Sequence, residues 1–103
     1  MGINISTSPM RVTIGINGEI DHHNAAILRM ESDEVIQGTL APNVRLDFRN
    51  VTFMDSSAIG FVLGRYKIVN SYGGNVEVTN LSRRQYSMMK LAGLEKLVNL
   101  RQK

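Results

Sequence analysis

The sequence predicts an α/β domain: a mixed β-sheet covered mainly by α-helices. Three observations predict it. Short runs of alternating apolar residues recur along the chain, helical apolar patterns lie between them, and capping or turn residues mark the junctions.

The first strand signal is Val12-Thr13-Ile14-Gly15-Ile16, where apolar side chains alternate with others. Asn17-Gly18-Glu19-Ile20 carries it on through a bulge or bend, and Ile3-Asn4-Ile5 is expected to pair with it. Asp21 then caps a helix whose apolar positions Ala25, Leu28, Val35 and Ile36 follow the three-and-four spacing, with Gly38 as its stop. Asn43–Phe48 reads as a strand running toward Val51, Phe53 and Met54. A second helix starts at Ser56-Ser57, sets Ile59, Val62, Leu63, Tyr66 and Val69 on one face, and stops at Tyr72-Gly73-Gly74. Val76-Glu77-Val78 is a further strand. Ser82-Arg83-Arg84-Gln85 matches a capping box and opens a third helix, with Tyr86 and Met89 inward and Gly93 as its end. Leu97-Val98-Asn99-Leu100 closes the chain as a short strand.

With 103 residues, 43% of them hydrophobic and 20% charged, the chain has the size of one domain with one core. No run approaches the roughly 18 consecutive apolar residues of a membrane span. Met1-Gly2-Ile3-Asn4-Ile5-Ser6 lacks the basic and apolar regions of a secretory signal, so a cytoplasmic location away from membranes is expected. The absence of cysteine excludes disulfides and thiolate metal sites.

Charge is distributed unevenly. Residues 1–60 carry four basic and seven acidic side chains, whereas 61–103 carry eight basic and two acidic. Such an asymmetry suits a nucleic-acid surface, but no aromatics interleave the basic residues to stack bases, and the cations are expected on helix exteriors and the C-terminal tail. No direct nucleic-acid partner is expected.

The segment Phe53-Met54-Asp55-Ser56-Ser57-Ala58-Ile59-Gly60 is the most informative. A hydrophobic run ends in an acid and two hydroxyls just where a helical pattern begins. A helix N-terminus favours negative charge through its dipole and unpaired N–H groups, so a phosphate can be added and held there. From spacing alone, Ser56 and Ser57 read equally as N-caps, the commonest role of serine at a helix start, and Asp21 as another.

Other chemistries fit less well. His22 and His23 are adjacent and do not chelate together as i, i+4 pairs do, so no metal is expected. No G-x-S-x-G frame surrounds the serines to suggest a hydrolase. Gly60-Phe61-Val62-Leu63-Gly64-Arg65 is one residue short of a phosphate loop, and its glycines read as close-packing positions. A nucleotide-binding or weak NTPase module remains the alternative from another class, though no Walker-type lysine or Mg²⁺ constellation supports it.

Together, Gly18-Glu19-Ile20-Asp21-His22-His23, the Asp55-Ser56-Ser57 segment, Leu63-Gly64-Arg65-Tyr66-Lys67, Gly73-Gly74 and Leu91-Ala92-Gly93-Leu94 resemble the STAS domain family. More narrowly they are similar to its anti-sigma factor antagonists of the sporulation sigma-F system of endospore-forming bacteria, over about Met10 to Leu100. The resemblance implies a non-enzymatic, cofactor-free regulator. Ser56 would be phosphorylated by an anti-sigma factor that is a serine kinase of the GHKL type, and a serine phosphatase would reset it. The unphosphorylated form would bind the kinase and displace its sigma factor. The same resemblance puts Asp21, His22 and His23 beside Asp55, Ser56, Ser57, Ala58 and Ile59 as the partner surface, and leaves Ser57 as a cap. Ala58 stands where the family often has glycine, and is expected to add a methyl beside the phosphorylated side chain. An antagonist in a stress-response sigma pathway is the related alternative.

Overall fold

The computed structural model describes residues 2–103; Met1 lies outside the described residues. Among these the order of elements is β1 (Gly2–Ser8), β2 (Arg11–Ile20), α1 (Ala25–Thr39), β3 (Asn43–Asp47), β4 (Val51–Met54), α2 (Ser57–Ser71), β5 (Asn75–Leu81), α3 (Arg83–Leu91), a 3₁₀ turn (Leu94–Lys96) and β6 (Asn99–Gln102). The alternation read from sequence is therefore present. The last strand starts two residues later than expected, because Leu94–Lys96 first makes its own turn.

The sheet is mixed, with strands in the order β1-β2-β3-β5-β6. The β1–β2 hairpin is antiparallel, and β2, β3, β5 and β6 run parallel. Its core face is built by register: Val12, Val44 and Val76 form one row, and Ile14, Leu46 and Val78 the next. These six are buried, and each such side chain contributes on the order of 1.5–3 kcal/mol of transfer free energy. Leu28 and Ile36 of α1, Phe61, Val62 and Val69 of α2, and Met89 of α3 join the same core.

Alternate residues on the other face, including Thr13, Arg45, Glu77, Asp47 and Thr79, are polar and half-buried. The helices thus cover one face, and the second keeps polar rows. There Glu77 accepts from Arg45 Nε at 2.5 Å and Arg101 Nε at 3.1 Å. Burial pushes its carboxyl pKa up, but the two guanidiniums outweigh burial and hold it below the ordinary range.

Strand β2 is long enough to serve two neighbours. Through Gly15 it pairs with β3, and from Gly18 it pairs in parallel with β4, with a register shift after Gly18 where the ladder passes over Thr52 of β4. Gly18 takes φ +92°, which only glycine adopts at little cost, so the bend expected along 17–20 lies where β2 takes up its second neighbour. At Gly74 the reason for glycine is space: a Cβ would stand 2.7 Å from Val69 Cγ1.

Several local expectations need correction. Helix α1 begins at Ala25 with Asn24 at the N-cap position, after a turn over 22–24, so Asp21 does not cap the helix itself. At its other end Gly38 stays helical, and Leu40 takes the left-handed conformation at φ 48° and closes the last turn onto Ile36 O. The buried stripe of α2 is Ala58, Phe61, Val62, Arg65 and Val69, rotated from the expected face, with Ile59, Leu63 and Tyr66 only half-buried. Arg65, expected outside, is 3% exposed. Its Nε lies 2.6 Å from Asp33 Oδ1 on α1, its Nη1 donates to Phe61 O, and its guanidinium stacks on the Phe61 ring. Nor are Gly60 and Gly64 close-packing positions, since a Cβ at either would meet nothing within 4 Å. The capping box at Ser82 and Gln85 is present in both directions, and Gly93 ends α3 as expected.

Candidate functional site

The site forms where β2 and β4 leave the sheet side by side. Ile20 and Met54 are register partners in that parallel pair, and both are buried. The next residues, Asp21 and Asp55, therefore emerge together, and Asp55 N donates to Ile20 O as a last rung of the ladder. From there one chain enters the turn that leads to α1 and the other enters α2. Parallel strands thus convert two distant segments of sequence into one surface.

Asp55 performs the capping expected of a serine. Its Oδ1 accepts from Ser57 N at 2.8 Å, so Ser57 is the first residue of α2 and not its cap. Its Oδ2 accepts from His22 N at 3.3 Å, fastening the neighbouring turn to the helix start. Hydrogen bonds from Ser57, backbone first and then side chain, hold the Asp55 carboxyl below its ordinary range, with lesser help from His22. Ser56 is exposed and helical at φ −63°, and its side chain makes no capping bond. A serine that caps must hold an extended backbone and spend its oxygen on a backbone N–H. With Asp55 in that role, the Ser56 hydroxyl stays available at the helix N-terminus.

Asp21 shapes the adjoining turn. Its Oδ1 accepts from His23 N and Asn24 N, each at 3.0 Å, while Asn24 Oδ1 accepts from Asp21 N at 2.9 Å. Asn24 is itself buried and donates to Glu19 O at 2.6 Å, which anchors the turn to the end of β2. His22 and His23 are exposed in this turn, with their rings edge-on at 5.8 Å. No group of three metal-ligating side chains occurs among the described residues.

The expected residues thus fall in three settings. Asp21, His22, His23, Asp55, Ser56 and Ser57 are brought together at the surface. Ala58 is fully buried, so its methyl belongs to the core and not beside Ser56, correcting the expectation drawn from the missing glycine. Ile59 packs half-buried against that core. Sequence reasoning missed Phe53, which is 50% exposed two residues before Asp55. It lines a pocket of about 150 Å³ with Thr52, Arg84 and Met88, so the first turns of α3 flank the strand that delivers the site. The signal was available: Phe53 precedes buried Met54 on a strand, where successive side chains face opposite ways.

Comparison with known proteins agrees with this architecture. The STAS domain matches residues 3–103. The chain belongs to the STAS domain family. Its relatives include the anti-sigma F factor antagonist of Paenibacillus polymyxa, 36% identical over 85 residues that span 82% of this chain and 73% of that one. The anti-sigma-B factor antagonist of Bacillus subtilis (strain 168) is 25% identical over 97% of this chain and 90% of its own. Among solved structures, the Bacillus cell fate determinant SpoIIAA in its phosphorylated form matches this STAS domain with a TM-score of 0.72 at 27% identity, covering 95% of this chain and 89% of that one. No helix among the described residues of the STAS domain is long and apolar enough to cross a membrane.

Proposed function

We propose that this STAS domain is an anti-sigma factor antagonist acting in the cytoplasm by partner switching. Unphosphorylated, it binds an anti-sigma factor that is also a serine kinase of the GHKL type, and so frees a sporulation sigma factor. Phosphorylation of Ser56 ends that binding, and a serine phosphatase restores it. The chain itself performs no catalysis.

The observation that carries this reading is the exposed Ser56, released from capping by Asp55 at the start of α2. A phosphate there gains from the positive end of the helix dipole, so the fold tolerates it. For a docking partner the effect is opposite. The modification adds about −1.5 to −2 charges to a face that already presents Asp21 and Asp55, and an interface packed on that face must desolvate and oppose them. The names of the Paenibacillus and Bacillus relatives support the antagonist role.

A second reading, control of a stress-response sigma factor, is favoured by the match to the anti-sigma-B antagonist across nearly the whole chain. One experiment tests both. The protein is incubated with ATP and either a sigma-F-type or a sigma-B-type anti-sigma kinase, and the phosphopeptides are sequenced. The sigma-F-type kinase should place one phosphate on wild type and on Ser57→Ala, and none on Ser56→Ala. Phosphate on Ser57 in the Ser56→Ala protein would overturn the site, and modification by the sigma-B-type kinase alone would move the protein to the second reading.

A further inference from the structure

The two edges of the sheet are not alike. β6 is four residues long and carries Arg101, with Lys103 just beyond it. Short length and charge are the devices by which edge strands avoid pairing with other chains. β1 has neither. It runs seven residues, Gly-Ile-Asn-Ile-Ser-Thr-Ser, with no charge and no proline, and pairs only with β2. Its outer backbone N–H and C=O groups face an open edge.

Beside that edge runs a groove of about 570 Å³ between β1 and α1, with Ile3, Ile5 and Val35 as its apolar lining and Glu31 and Glu34 as its charged one. Ile3 and Ile5 stand opposite Ile16 and Ile14, on the face that forms the core, yet Ile5 is 51% exposed. Glu31 and Glu34 form no ion pair among the described residues. A complete sheet edge would cover Ile5 and neutralise both carboxylates.

We propose that β1 is a docking edge for an extended segment of a partner protein that carries apolar residues together with lysine or arginine on one face, at every second position. The segment adds a further strand to the sheet: its backbone pairs with Gly2–Ser8, its apolar side chains cover Ile3, Ile5 and Val35, and its cations meet Glu31 and Glu34. Charge selects this occupant over a second copy. Two β1 strands paired about a two-fold axis would set both Glu31/Glu34 pairs over one seam, like charge against like.

The test is amide chemical-shift mapping with two seven-residue synthetic peptides, Thr-Lys-Thr-Val-Thr-Lys-Thr and Thr-Glu-Thr-Val-Thr-Glu-Thr, in which the charged residues share a face with the valine. The lysine peptide should shift the amides of Gly2–Ser8 and of Glu31–Thr39 and slow hydrogen exchange along β1, and the glutamate peptide should not. A Glu31→Lys/Glu34→Lys double variant, altered only on the surface, should weaken the lysine peptide at least about tenfold, equivalent to about 1.4 kcal/mol. Ile5→Lys, which places a charge on the edge, should abolish binding. Absence of shifts in β1, equal response to both peptides, or full affinity in the glutamate double variant would overturn the proposal. So would β1 amides already protected in a concentration-dependent dimer, since the occupant would then be a second copy.

Discussion

Asp55 joins two chain segments with one carboxylate, holding Ser57 N through one oxygen and His22 N through the other. In the unfolded chain such a group titrates near 3.8, and these donors pull it lower in the fold. Between the two values the unfolded state binds more protons, so this contribution to stability is present above the unfolded pKa and is lost as pH falls through the folded one. Asp55→Asn keeps an acceptor but removes the titration. It should lower Tm at neutral pH and flatten the decline of Tm with acidification below 3.8; an unchanged acid slope would remove Asp55 from this role. Asp21 separates charge from shape in the same way. Asp21→Asn preserves an acceptor for His23 N and Asn24 N, whereas Asp21→Ala removes it and loosens the turn. If the Asp21 charge contacts the kinase, calorimetry should show both variants weakened by about 1–3 kcal/mol. Weakening by alanine alone would mean that Asp21 acts only by shaping the turn.

Helices α1 and α2 are joined by a buried ion pair that apolar periodicity does not disclose. Arg65 is 3% exposed and the Asp33 side chain 23%, so removing the acid strands a cation in the interior. Burial lowers the Arg65 pKa and Asp33 opposes that, while nearby Arg29 adds to the lowering. Asp33→Ala should cost about 3 kcal/mol in denaturant unfolding, the low end for a buried pair because Asp33 keeps some solvent. Arg65→Met should cost much less, since an apolar side chain of similar length needs no partner. Comparable losses for both would show that the pair contributes through packing. The same pair marks the limit of what was legible in the sequence. Strands announced themselves through alternation at Val12–Ile16, and α3 through its Ser82/Gln85 box, because those signals are local. The face of α2 was misread because it assumed a charged residue faces outward, and only the position of Asp33 on another helix shows that Arg65 does not. Spacing leaves Ser56 and Ser57 equal as caps and resemblance leaves the role to Ser57, because neither tells which of three adjacent polar residues holds the helix N–H groups, and Asp55 does so in the fold. The pairing of Asp21 with Asp55 was implied by resemblance alone, since it depends on β2 exchanging β3 for β4 at Gly18.

The mixed sheet holds two loops in register and leaves Ser56 at their junction, so a phosphate added there, as the proposed function requires, would alter a surface without disturbing the core. That economy separates folding from docking. Ser56→Asp should leave Tm nearly unchanged, because a carboxylate at a helix N-terminus is worth only about 0.3–1 kcal/mol and Asp55 next to it repels the added charge. The most direct test is calorimetric titration of the anti-sigma kinase with unphosphorylated protein and with protein stoichiometrically phosphorylated on Ser56, alongside their Tm values. The phosphorylated form should bind at least about tenfold more weakly, a difference of about 1.4 kcal/mol or more, with both forms fully folded. Equal affinities, or a loss of binding that accompanies unfolding of the phosphorylated protein, would rule out a Ser56 switch that acts on docking alone.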